Sequence, residues 1–178
     1  MVLNLAGSAI FLIAIGAIYA ATGTLNLADL AVKVAATGTE QKLLLKAGGL
    51  LLLLVFSLPA ALVPVGFWLP PAYASASAPA AALFAIMTKV GVYAILRVQG
   101  LVFGPEAGPV ASLLTPWLLP LGLITVVVAT LGVLASRELQ RLLAHLVVLS
   151  AGTLILTLGL GSPDATSSAL YYALNSTL

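Results

Sequence analysis

Three stretches of this chain carry no charged side chain at all: residues 1–28, 47–88 and 107–136. About 20 predominantly apolar residues cross the hydrocarbon core of a bilayer as an α-helix, so each stretch is long enough to supply at least one span. A transmembrane barrel would instead alternate polar and apolar residues along each strand. These runs are continuously apolar. The chain therefore reads as an all-α membrane protein, a polytopic helical bundle. Its composition agrees, with 62% hydrophobic and only 7% charged residues against about 25% charged in an ordinary soluble domain.

The same scarcity of charge excludes several functions. A net charge of +2 offers neither the basic stripe of a nucleic-acid binder nor a polybasic lipid anchor. The chain has no cysteine, so disulfides, thiolate nucleophiles and thiolate metal ligands are ruled out. Asp29, Glu40, Glu106, Glu138 and Asp164 are scattered through connections and His145 is alone. No metal site, cofactor motif, paired carboxylates, catalytic triad or phosphate loop is expected from them. The first 22 residues lack the basic start of a secretory signal and exceed its apolar length, so they read as a spanning helix.

Five complete helices are expected near residues 3–22, 44–68, 79–103, 113–135 and 141–160, with a truncated sixth from about residue 168. The connection after the first helix is the longest and holds Asp29, Lys33, Glu40 and Lys42, with a short amphipathic helix expected around Leu25 to Val34. The others are brief, among them PPAYASASAP and GSPDATSS. Gly48, Gly49, Ala81 and Ala82 permit close helix approach. Pro59 and Pro64 fall inside the second helix, where each removes a donor and clashes with the preceding turn. A kink or break is expected there. In transporters such breaks expose helix ends at the midplane, although a proline kink can equally serve packing alone. The final SALYYALNSTL starts a helix and stops after half a membrane thickness, which suggests a piece of a longer chain. Positive charges weakly favour a cytoplasmic first connection.

Lys89 is the residue that points to function. In a helix from about Pro79 to Phe103 it lies two residues from the centre, where a charge costs about 2.5–3.5 kcal/mol on insertion scales. Such residues mark ion or proton pathways by default. Ala82, Ala85 and Tyr93 share its face and leave room for water or a polar neighbour. The competing reading is a static ammonium bonded to carbonyls of a kinked neighbouring helix. Arg97, two turns on, reads as snorkelling to the interface. His145 lies one turn after Arg141 near the membrane boundary, where it either exchanges protons or anchors the interface. Gly152 and Thr153 would line a wet path inward from it.

Leu54 to Arg97, with its LVFSLPAALVPVGFWLPP and TKVGVYAILR segments, resembles the D subunit of Mrp/Pha-type multisubunit monovalent cation/proton antiporters, relatives of the antiporter-like subunits of respiratory complex I. GTLNLADLA, RLLAHLVVLSAGTLI and SALYYALNSTL extend the resemblance over nearly the whole chain. It implies the central portion of an antiporter-like fold with one broken helix, in the cell inner (plasma) membrane. It also implies a hetero-oligomeric complex that exchanges H⁺ for Na⁺ or K⁺, with no cofactor of its own. Lys89, Tyr93 and His145 would form the proton relay. The family normally has a lysine where Pro59 stands, and often a histidine at Asn175, and its partner glutamate would lie upstream of Met1. The family topology puts SRELQR in the cytoplasm, against the charge count. The alternatives are a proton-pumping subunit of a quinone oxidoreductase or hydrogenase, and an inactive bundle of the same fold.

Overall fold

The computed structural model describes residues 2–38 and 41–176; Glu40 lies outside them. The described chain is helical: α1 Val2–Thr22, α2 Leu27–Ala35, α3 Lys42–Ser57, α4 Leu69–Ser75, α5 Ala78–Leu101, α6 Thr115–Ala135, α7 Leu139–Gly159 and α8 Pro163–Asn175. Among the described residues, four helices are long and apolar enough to cross a membrane: Asn4–Thr22, Ala78–Leu101, Thr115–Ala135 and Leu139–Gly159. The chain divides into two units, Met1–Phe56 with Ala94–Leu114, and Ser57–Tyr93 with Thr115–Leu178.

In the first unit α1 and α3 approach closely because Gly48 has no side chain. A Cβ there would stand 2.8 Å from Ile18 Cγ1 and 3.1 Å from the Ala14 carbonyl. Gly49 makes room in the same way for the Phe103 ring. Phe11 meets Phe56 edge-on with ring centroids 6.0 Å apart. The amphipathic segment in the first connection is α2, capped by Asn26, whose side chain accepts from Ala28 N–H at 3.0 Å. It buries Leu30 and Val34 and pairs Asp29 with Lys33 on its outer face at 3.0 Å. Lys33, with a smaller contribution from Thr24, holds the Asp29 carboxyl below the usual carboxylate range.

The second unit is built on the α6–α7 hairpin. Glycines on both helices let the backbones close. A Cβ on Gly122 or Gly159 would stand 2.5 Å from the amide nitrogen of Leu156 or Leu119, respectively. These glycine contacts carry the association, since lipid offers helices no hydrophobic drive to pair. Gly152 packs against Thr125 and Val126 in the same seam, so it lines helix–helix packing and not the wet path expected from His145.

The proline-bearing segment departs most from expectation. A single helix over 44–68 does not form, because α3 stops at Ser57. After a run of turns the chain enters a 3₁₀ turn at Val65–Trp68 and continues directly into α4. PPAYASASAP, expected to be a connection, supplies most of α4, with prolines at its first helical positions. Proline is tolerated there because that turn has no intrahelical acceptor for an N–H. The last helix likewise begins at Pro163, not near residue 168. Gly161, at φ +68°, ends α7, and Ser162 caps α8 by accepting from Ala165 N–H at 3.1 Å.

A break inside a membrane protein is tolerated only if its freed backbone groups find partners. Pro59 and Pro64 contribute no N–H. Leu62 N–H bonds the Ser57 carbonyl at 3.0 Å, and Ala61 N–H bonds the Leu58 carbonyl at 3.1 Å. The Trp68 indole donates to the same Leu58 carbonyl at 2.9 Å. Trp68 also packs edge-on against Phe84. Val63 N–H reaches outside the segment, to Thr125 Oγ1 on α6 at 3.1 Å. Thr125 is fully buried and its hydroxyl donates to the Leu121 carbonyl at 2.7 Å, so its oxygen is oriented to accept. Thr125→Val keeps the volume but leaves Val63 N–H without its partner, and is expected to destabilise the protein by about 1–3 kcal/mol. Thr125→Ser retains most of the stability. Thermal unfolding of the two detergent-purified variants checks this; equal midpoints would refute it.

Candidate functional site

Lys89 is the twelfth of the 24 residues of α5, which puts it about 17 Å from either helix end at 1.5 Å per residue. It is half-buried. Its ammonium donates to Ser150 Oγ on α7 and lies over the Tyr172 ring of α8, 5.6 Å from the ring centroid. Tyr172 Oη donates to the same Ser150 Oγ at 3.2 Å. The lysine is thus held by hydroxyl and aromatic groups of two other helices, not by the carbonyls of a kinked neighbour that the competing static reading required.

Lys89 faces a cleft of about 240 Å³. Water occupies about 30 Å³ in the liquid, so there is space for a short chain of molecules. Ala85 and Ile86 of α5, Tyr73 of α4, Ser150 of α7 and Ser176 beyond α8 contribute to its lining, with Leu143, Leu146 and Val147 forming an apolar wall. Ala85, expected to share the lysine's face, does so, whereas Ala82 is exposed.

The sequence-derived residues do not all converge on that cleft. Tyr93, one turn along α5 from Lys89, is 51% exposed and is not among the lining residues. His145 sits elsewhere on α7. Its Nδ1 is 2.8 Å from the Arg141 carbonyl and 3.3 Å from Ser136 Oγ. A carbonyl only accepts, and Ser136 already gives its proton to the Gly132 carbonyl at 2.6 Å. Neutral His145 therefore carries its proton on Nδ1 and has Nε2 as its acceptor nitrogen. The ring occupies space left by Gly132, where a Cβ would collide with the imidazole.

Pro59 lies in the break, and the backbone there packs onto α5 at Gly91, two residues beyond Lys89. Asn175 ends α8 and is exposed. Ser150, Tyr172 and Tyr73 were missed from the sequence. The expected helix from about residue 168 already held Tyr172, but nothing in its local pattern directed that ring at Lys89. Nothing local in the sequence pairs Ser150 with Lys89, 61 residues away.

The NADH:quinone oxidoreductase/Mrp antiporter transmembrane family matches residues 1–177. The chain belongs to that family. It is 45% identical over 175 residues to the D subunit of a probable K(+)/H(+) antiporter of Rhizobium meliloti, covering 98% of this chain and 32% of that protein. The D subunit of the Na(+)/H(+) antiporter of Bacillus subtilis is 37% identical over 179 residues, covering 100% of this chain and 35% of that protein. The chain thus spans about a third of the length of these curated relatives. Two solved structures share the fold. The membrane-bound sulfane sulfur reductase, an archaeal respiratory membrane complex, superposes with a TM-score of 0.88 at 31% identity, over 99% of this chain and 35% of that one. The Mrp complex of Dietzia sp. DQ12-45-1b superposes with a TM-score of 0.84 at 27% identity, over 98% and 31%. Family membership and the four apolar helices make this a multi-pass membrane protein of antiporter-like fold.

Proposed function

We propose that the chain is part of a proton-translocating component of a monovalent cation/proton antiporter, exchanging H⁺ for Na⁺ or K⁺ within a hetero-oligomeric complex of the cell inner (plasma) membrane. The observation that carries this reading is Lys89, an ionisable group at mid-span facing a cleft with room for water. The antiporter relatives in Rhizobium meliloti and Bacillus subtilis support the choice of antiport. In this reading Lys89 takes and releases a proton as neighbouring charges change, and Tyr93 and His145 serve the path at greater distance, His145 through Nε2. Pro59 stands where the family's lysine would be, so the step at the break passes to water or to another residue.

The likeness to an archaeal respiratory complex favours a second reading, proton pumping driven by a redox partner. Salt-dependent proton flux in everted vesicles from an antiporter-deficient host separates the two. With the full-length protein and its neighbouring subunits expressed, Na⁺ or K⁺ added without an electron donor is expected to collapse an imposed pH gradient. Flux that appears only with an electron donor selects the redox reading. Absence of flux under both conditions overturns both and leaves an inactive scaffold.

A further inference from the structure

The surroundings of Lys89 indicate where its proton goes. No carboxylate lines the cleft among the described residues; the groups in contact with the ammonium are the Ser150 hydroxyl and the Tyr172 ring. Ser150 is also bonded to the Tyr172 hydroxyl at 3.2 Å. The three groups therefore form an unbroken hydrogen-bonded line from the middle of α5, across α7, to a tyrosine on α8 that is 40% exposed. Tyr93, the hydroxyl that follows Lys89 on its own helix, is not on this line.

We propose that Ser150 is the exchange point for the Lys89 proton and Tyr172 the next carrier, so that the proton path leaves α5 laterally through α7 to α8. This rests on the proton-transport reading above. Hydroxyls suit the task because each both donates and accepts. In the structure both Lys89 and Tyr172 donate to Ser150 Oγ, so the Tyr172 O–H first turns to water and the Ser150 O–H turns to Tyr172 Oη. As a Lys89 N–H bond then breaks, its proton bonds to Ser150 Oγ, the proton already on Ser150 passes to Tyr172 Oη, and the proton of Tyr172 passes to water. The products are a neutral amine, two intact hydroxyls and a hydronium ion, so no charge is left on either hydroxyl. Rotation of the two O–H groups resets the line for the next proton. The Tyr172 ring has a separate part, since its face attracts the ammonium and keeps the lysine directed at Ser150.

The two parts can be tested separately in the full-length antiporter complex in everted vesicles, with assembly followed by size-exclusion chromatography. Ser150→Ala removes the exchange point, and Tyr172→Phe keeps the ring and removes only the hydroxyl. Each is expected to lower the maximal salt-driven proton flux at least about tenfold, in the range of one positioned proton-transfer group. The half-saturating Na⁺ or K⁺ concentration is expected to stay unchanged, and Ser150→Thr, which restores a hydroxyl, to recover most of the flux. A packing role predicts the reverse order, with alanine tolerated and the larger threonine harmful. If Ser150→Ala fails to assemble, Tyr172→Phe decides, and native flux from it overturns the proposal. Native flux from Ser150→Ala beside a dead Lys89→Ala overturns the Ser150 path and leaves the relay reading standing. Native flux from both overturns the two together.

Discussion

Lys89→Ala is expected to lower salt-driven proton flux by about tenfold or more while leaving the protein inserted and assembled. The expectation for assembly follows from the sign of the energies. A lysine at mid-span opposes insertion by about 2.5–3.5 kcal/mol. Its bond to Ser150 and its contact with Tyr172 return about 1.5–3 and 0.5–2 kcal/mol, respectively. Removing all of these at once nearly balances, so alanine is not expected to unfold the site. Lys89→Arg makes the test sharper. Arginine keeps the positive charge but does not give up its proton in a protein. A static structural cation would therefore tolerate arginine, whereas a relay would stop. Flux from Lys89→Arg near the native level would refute the relay.

Gly91→Val is expected to produce the largest loss of stability. The first atom added there would stand 2.5 Å from the Ala60 amide nitrogen and 3.0 Å from both Ala60 Cα and the Pro59 carbonyl carbon. These are backbone atoms, so no rotamer change relieves the clash, and the broken segment as a whole must move. Overpacking of this kind costs about 1–3 kcal/mol or more. The same movement would disturb Val63 and its bond to Thr125. Gly100→Ala is the control on the same helix. A Cβ there meets nothing within 4 Å. Gly100 lies in the last turn of α5, where replacing glycine by alanine at a compatible backbone conformation gains about 0.4–1 kcal/mol through the unfolded chain. Thermal unfolding of the detergent-purified protein is expected to shift down for Gly91→Val and to hold or rise for Gly100→Ala. A midpoint for Gly91→Val at the native value would show that the break is not held against α5.

The elements differ in how far local pattern announced them. The long apolar helices were legible because their length and lack of charge answer to the bilayer and not to any neighbour. The break at Pro59 and Pro64 was legible as a break, since a missing N–H is a property of the residue itself. Its form was not. The expected single helix over 44–68 ends at Ser57, because Trp68 and Thr125 offer the freed backbone groups partners that no local pattern reveals. The first turn of α4 was mistaken for a connection because consecutive prolines signal both a loop and a helix start. The start of α8 was read late for the related reason that Ser-Pro-Asp is turn chemistry as well as a cap.

By itself the sequence determined that this chain crosses a membrane as helices, that one of those helices is interrupted, and that a single lysine stands in the middle of another. These follow from residue chemistry acting over a few helical turns. Tertiary structure alone decided which groups receive that lysine. Ser150 meets it from α7, and Tyr172 joins them because α8 folds back onto α7, where its hydroxyl bonds Ser150. The identity of a buried charge's partner is set by which helix faces meet, and that depends on packing between residues far apart in the chain.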